Sequence, residues 1–314
     1  MLLAHVLAFA MGTANAQSDK PVSIIVPFPP GGVVDVVGRL LADGMSSAMG
    51  ARVIVENRPG AGGTIGATAV AKAAPDGRTL LLGGAATHVF SPLLYPNLAY
   101  TPERSFAPVS QVSTGPLVLV LPSGSVVSTM GEFLALAKTQ GDRLNYASNG
   151  SGTYPHLAAE LFRRAVGGKF VHVPYAGGSQ AGVALASGEV GFSINHIPVV
   201  LPFIKSGKVR AIATTGTKRS ASFPDLPTFG ESGLKGYEAS PWFGVFAPAG
   251  TPPAAIDKLS GVITKVVTSG TFRERLAAYG DEAVGGSPQE LDALLRSELA
   301  KWPTVVRDAE VKAN

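Results

Sequence analysis

Cysteine is absent from the 314 residues, which excludes a disulfide framework, a thiolate nucleophile and a cysteine metal site. Charge is scarce as well. Asp, Glu, Lys and Arg make up 15% of the chain against 46% hydrophobic residues, the composition of a globular protein and not of a disordered one. The net charge is only +4, with Lys and Arg scattered, so nothing argues for a nucleic-acid partner. Beyond the N-terminal segment, no uninterrupted apolar run approaches the ~18 residues of a membrane span. The length allows one large or two medium domains.

Residues 1–16 carry no Lys, Arg, Asp or Glu. Residues 2–9 are an apolar block, and Ala14-Asn15-Ala16 fits a small-x-small cleavage pattern before Gln17. This predicts an export signal over 1–16, lacking the usual basic start, and a mature protein outside the cytoplasm. A buried N-terminal helix is the alternative.

What is present begins with Ile24-Ile25-Val26-Pro27-Phe28-Pro29-Pro30-Gly31-Gly32. An apolar run stops at prolines and glycines, and an amphipathic pattern opens at Val33. The spacing predicts a buried strand, a stiff turn and a helix to Gly50. A helix that opens so presents unpaired N–H groups and a partial positive charge, which suits an anion. A tight connection with no ligand fits the stretch equally well.

Strand and helix patterns then alternate, which predicts parallel sheet. Strands are expected at 52–56, 79–82, 112–121, 144–148, 170–173, 190–194, 209–214 and 242–247. Thr129-x-x-Glu132 is a capping box. Residues 216–236 read as a long surface connection. Five strand ends carry small, polar or backbone-rich residues: 28–32, 83–88, 148–153, 174–178 and 195–198. Ligands of open parallel sheets bind at such ends, so one polar site between two lobes is expected.

Familiar catalytic patterns fail. Gly60-x-Gly62 would need its third glycine at Ile65. No Gly-x-Ser-x-Gly surrounds Ser151, and no His-Glu-x-x-His occurs. His88, His156, His172 and His196 have no acidic neighbours in sequence to complete a metal site, so neither a metal nor a cofactor is expected. Hydroxyls, amides, glycine backbone and aromatics remain. They can hold a carboxylate but supply no nucleophile–base pair.

Several stretches together resemble the tripartite tricarboxylate transporter receptor family, the Bug-type periplasmic solute-binding proteins. They are Pro27-Phe28-Pro29-Pro30-Gly31-Gly32-x-x-Asp35, Val55-Glu56-Asn57-Arg58-Pro59-Gly60-Ala61-Gly62-Gly63-x-Ile65-Gly66, Ala74-Pro75-Asp76-Gly77, His172-Val173-Pro174-Tyr175 and Trp242-Phe243-Gly244-x-x-Ala247-Pro248-Ala249-Gly250-Thr251-Pro252. The likeness covers roughly residues 20–310. It implies a type II periplasmic-binding-protein fold, α/β throughout, with two lobes joined by two crossing segments and a cleft between them. The lobes are expected at 17–111 plus 237–314, and at 112–236.

The resemblance also implies capture of a small organic acid by lobe closure and delivery to the membrane subunits of a transporter, by a monomer in the periplasm. Carried over by position, the first-lobe contacts are Phe28, Pro30, Gly31 and Gly32, with Ala85, Ala86, Thr87 and His88. Those of the second lobe are Ser148, Asn149, Gly150, Ser151, Gly152, Thr153, Tyr154 and His156, then Tyr175, Ala176, Gly177 and Gly178, then Asn195, Ile197 and Pro198.

Three departures from the family's pattern stand at Tyr154-Pro155, Gly191 and Asn195. Without an aspartate at 195 there is no partner for an amino group, so a ligand lacking an α-amine is expected. Tyr154 would add an aromatic face for an aromatic acid. Two rivals stay open: a ligand sensor coupled to a membrane kinase, and a hydrolase or isomerase using His156 and Ser151.

Overall fold

The computed structural model describes residues 20–140 and 143–311; the expected export signal, 1–16, lies outside the described residues. The chain builds two α/β lobes, each around one sheet. The first lobe opens with β1 (Val22–Val26), α1 (Val33–Met49), β2 (Val53–Asn57), α2 (Thr64–Ala71) and β3 (Thr79–Gly84). Short helices α3 (Ser91–Leu94) and α4 (Pro102–Ser105) lead to β4 (Phe106–Thr114). The second lobe holds β5 (Leu117–Pro122), α5 (Met130–Gln140), β6 (Asn145–Ser148), α6 (Tyr154–Val166), β7 (Val171–Pro174), α7 (Gly178–Ser187), β8 (Phe192–His196), α8 (Ile197–Lys205) and β9 (Val209–Thr214). The chain then returns to the first lobe with β10 (Trp242–Pro248), α9 (Pro253–Val267), α10 (Gly270–Ala277), β11 (Glu282–Ala283) and α11 (Pro288–Asp308).

The strand orders are β2-β1-β3-β10-β4-β11 and β7-β6-β8-β5-β9. Each sheet is mixed, which corrects the expectation of purely parallel strands. β10 runs antiparallel to β3 and β4, and β5 antiparallel to β8 and β9. The reason is topological. β4 and β9 both run toward the cleft, so the strand that follows each of them enters the other lobe at its cleft end and must run away from it.

The stretch expected as one strand over 112–121 is two strands in different sheets, parted at Gly115-Pro116. The expected lobe division at 111/112 therefore falls inside β4, which stays paired with β10 as far as Thr114 opposite Trp242. Gly115 has no room for a side chain: a Cβ there would lie 2.2 Å from Asp281 Oδ1.

Apolar spacing explains the core of the first lobe. Ile24 and Val26 on one face of β1 pack with Val37, Leu41 and Met45 of α1, while Ile25 and Leu81 face Ala67 and Val70 on the other side. Gly38 allows the close approach, since a Cβ there would stand 2.8 Å from Val26 Cγ2. The segment 216–236 is only partly the surface connection expected. Phe229 and Thr228 are buried, and the Phe229 ring packs on Phe162 and Tyr237 at 5.5 and 4.6 Å.

Helix α11 belongs to the first lobe but reaches the second. Its start is fixed by the reciprocal Ser287–Glu290 capping box. Trp302 meets Phe90 of the first lobe and Tyr154 of the second at 5.2 and 5.3 Å. Glu298 accepts from the indoles of Trp242 and Trp302, and Lys301 ties it to Glu238 on the returning segment. Asp308 pairs with Arg164 of α6.

Candidate functional site

In both sheets the strands β1, β3, β6, β7 and β8 end on the side of the crossings, so their loops face one cleft. Each loop is built differently. The turn after β1 leaves Pro29, Pro30, Gly31 and Gly32 exposed, with Phe28 half-buried beside Gly63. Gly31 has φ +86, and its N–H donates to Asp35 Oδ2 at 2.9 Å. That Asp35 carboxylate also accepts from Arg39 at 3.0 Å and from Asn57 at 2.8 Å. Burial pushes its pKa up, but the bonds from Arg39, Gly31 and Asn57 outweigh this and hold it at about 2. The N-terminus of α1 thus already carries an internal anion. Of the unpaired N–H groups expected there, that of Gly31 is taken by Asp35, and a Cβ on Gly32 would meet only Pro29 O, at 3.8 Å.

Behind this turn the 85–88 segment is mostly core. Thr87 and His88 have no exposed surface, Ala85 almost none, and only Ala86 is half-buried. Thr87 Oγ1 bonds Gly84 and lies 2.9 Å from His88 Nδ1; its carbonyl accepts from Tyr100 at 2.6 Å. The His88 ring stacks on Phe246 at 3.9 Å, and burial drives its pKa down to about 3. Thr87 and His88 therefore shape the turn from within and do not present their side chains to the cleft. Gly62 and Gly63, outside the expected contacts, sit where the first-lobe loops pack together. Both have positive φ, and a Cβ on Gly63 would collide with Thr87 Cγ2 at 2.8 Å, so these glycines let the three first-lobe loops meet.

In the second lobe the loop 148–153 is held by its own polar atoms. Ser148, fully buried, accepts from Gly150 N at 3.2 Å and lies 2.6 Å from His172 Nε2. Thr153 Oγ1 donates to Gly150 O at 2.7 Å, and Gly152 N donates to His156 Nδ1 at 3.1 Å. Asn149 and Asn195 exchange amide hydrogen bonds at 3.0 and 2.8 Å. Asn195 Oδ1 also accepts from His196 N, so the buried amide is well used. Ser151 is half-buried, with no side-chain bond among the described residues. Gly152 rests on the first lobe: a Cβ there would lie 2.9 Å from Leu94 Cδ1.

Two expected aromatics are elsewhere. Tyr154 is packed between Phe90 and Trp302, its hydroxyl buried with no hydrogen-bond partner among the described residues. Burial first, then the nearby Glu298, raises its pKa well above the ordinary value. It therefore offers no face to a ligand, because its ring joins the core that links the lobes. Tyr175 lies at the cleft end of β7, but its hydroxyl donates to Glu189 at 2.8 Å, ahead of β8 and at the opposite end of that sheet. Ala176 is exposed, and Gly177 and Gly178 open α7 with no acidic residue in its first turn. Ile197 is buried against Gly280 of the first lobe, and Pro198 is half-buried at the start of α8.

The chemistry is that of neutral donors. Burial lowers the pKa of His156, His172 and His196 to about 4, so all three are uncharged at neutral pH. The Ser148–His172 contact looks like a nucleophile and base, but Ser148 has no surface for a substrate to reach. His156 is engaged with Gly152 and makes no bond to Ser151 among the described residues. Among these residues no group of three metal-ligating side chains comes together, and no helix is long and apolar enough to cross a membrane.

Comparison with known proteins agrees with this architecture. The family model described as "Tripartite tricarboxylate transporter family receptor" matches residues 37–311. The structure of R. palustris Rpa4515 with adipate is 32% identical, covers 93% of this chain and 98% of that one, and superposes with a TM-score of 0.79. MatC (Rpa3494) from Rhodopseudomonas palustris with bound malate is 34% identical, with 91% and 98% covered and a TM-score of 0.74. The periplasmic binding protein BugD is 35% identical, with 93% and 98% covered and a TM-score of 0.75. The two-lobed fold is thus that of periplasmic binding proteins, and the chain belongs to the tripartite tricarboxylate transporter receptor family.

Proposed function

We propose that this protein captures a small organic acid, a di- or tricarboxylate, between its lobes outside the cytoplasm and hands it to the membrane subunits of a tripartite tricarboxylate-type transporter. The carrying observation is that strands of both sheets end on the side of the crossings in loops rich in backbone N–H groups and amides, with no lysine or arginine at 28–32, 83–88, 148–153, 174–178 or 195–198. Such groups can share out a ligand's negative charge without the desolvation cost of a buried ion pair. The adipate and malate bound by relatives belong to the same chemical class.

The neutral Asn149–Asn195 pair supports a ligand without an α-amine, since no carboxylate stands there to hold an ammonium. The argument for an aromatic acid loses its support, because Tyr154 is committed to Trp302 and Phe90. A binding role is favoured over catalysis by the enclosed Ser148 and the engaged His156.

Titration calorimetry with adipate, malate, citrate, benzoate, aspartate and glutamate tests the reading. Binding of the amine-free aliphatic acids is expected. Tight binding of aspartate or glutamate alone overturns the specificity, and turnover of a bound acid overturns the binding role.

A further inference from the structure

We propose that His156 is a positioning residue: its neutral imidazole holds the 149–153 loop by accepting the Gly152 N–H, and acid releases ligand by protonating it. The proposal rests on the reading above that this loop is part of the acid-binding cleft.

His156 is the third residue of α6, after Tyr154 and Pro155. A glutamate at that position commonly reaches back to accept a backbone N–H at the helix start. Here an imidazole does so, with Nδ1 3.1 Å from Gly152 N. An N–H donor requires an acceptor, so the ring's proton sits on Nε2. The ring is clamped by His172 of β7, stacked at 3.7 Å with planes 8° apart. His172 Nε2 in turn meets Ser148 Oγ, which accepts from Gly150 N. The two glycines of the loop, at φ +121 and +76, thus both end on acceptors backed by this pair of imidazoles.

A second proton on His156 meets three obstacles. It converts the acceptor facing Gly152 into a donor. It places positive charge at a helix N-terminus, where the dipole opposes it. It also sits against a second imidazole. The other titratable groups near the ring do not relieve this. Tyr146 of β6 stacks beyond it at 6.3 Å and donates to Glu160. Glu160 of α6 is bonded to that hydroxyl and to Arg163, each at 2.6 Å. Burial acts in the same direction, lowering the His156 pKa to about 4. Below that range the loop loses the bond that fixes Gly152, and with it the placement of Gly150, Ser151 and Thr153.

The test compares wild type, His156→Asn and His156→Leu in the full chain, using adipate and malate as probes. Asparagine can keep an acceptor at the δ position and does not titrate; leucine removes the acceptor. At about pH 7, His156→Asn should bind within about threefold of wild type and His156→Leu about tenfold more weakly, the loss expected for one hydrogen bond. The wild-type to His156→Asn affinity ratio should stay constant near neutral pH and fall as pH drops through the His156 value of about 4; taking a ratio cancels the titration of the acids themselves. In ligand-free protein, the Gly152 amide resonance should titrate with the His156 ring in wild type and stay flat in His156→Asn. Equal binding by wild type and His156→Leu, or a Gly152 amide indifferent to the His156 ring, overturns the proposal. If wild type binds neither acid, the ligand reading has failed, and the amide titration decides the positioning role alone. If His156→Leu does not fold, the pH ratio and the amide of His156→Asn decide it.

Discussion

Asp35 is the residue around which the first jaw is set. Its buried carboxylate gathers Gly31 N–H, Arg39 and Asn57, and Asn57 also donates to Phe28 O. Asp35→Asn should leave part of this set unmatched and cost about 1–3 kcal/mol in chemical denaturation. The sign of its pH dependence follows from a carboxyl held below its ordinary value of 3.8, at about 2. The Asp35 contribution is complete above the ordinary value and is lost as pH falls through the folded one. Gly32 contrasts with it. Its φ is −78, and a Cβ there would find only Pro29 O, at 3.8 Å. Gly32→Val should therefore fold with an unchanged melting temperature yet weaken every acid alike. A selective loss for one acid would show that this turn reads ligand identity.

At the level of elements, the loops after β6 and β8 act as one unit because Asn149 and Asn195 bond each other. Asn195→Asp keeps an acceptor for Asn149 Nδ2 and for His196 N, but it sets a carboxylate oxygen against Asn149 Oδ1. The expected result is a melting temperature a few degrees lower, from about 1–2 kcal/mol. Relative affinity should also shift toward aspartate over malate, measured by calorimetry on one preparation. An unchanged preference would remove residue 195 from specificity. Tyr154 and Tyr175 were both expected to read the ligand; the Tyr154 ring lies in the core beside Trp302, and the Tyr175 hydroxyl is engaged by Glu189.

Across the whole molecule two properties follow from the packing. Four histidines are kept neutral, His88 at about 3 and His156, His172 and His196 at about 4. Each lowered pKa means that the unfolded chain binds the proton more readily. Stability should thus be full above the ordinary histidine value near 6.5 and decline as pH falls toward 4. Melting curves across this window check it; a flat profile would show that these rings are not buried. The second is an expectation, that the lobes close on a ligand. Helix α11 touches both lobes through Trp302 and Asp308, and Lys301 and Glu298 bind it to the returning segment. It should act as the fixed side about which the cleft closes. X-ray scattering with saturating adipate should show a smaller radius of gyration than the ligand-free protein; identical curves would exclude closure by that acid.

Much of this was legible in residue order. Local rules placed α1 between Gly32 and Gly50, the box at Thr129–Glu132 and strand β9, because helix caps and apolar periodicity act over a few residues. The turn at 27–32 was recognisable for the same reason. Only the tertiary structure could decide the partners. The break of 112–121 into two sheets depends on β10 returning from far along the chain. The burial of Phe229 depends on Phe162, the fate of Tyr154 on Trp302, and the role of His156 on a ring that arrives from β7. Even in the turn, a glycine N–H expected to wait for a ligand already serves Asp35. Sequence determined which loops are rich in donors. Folding decided which of those donors are already spoken for, since a hydrogen bond depends on distance in space and the partner's position is set by the whole chain.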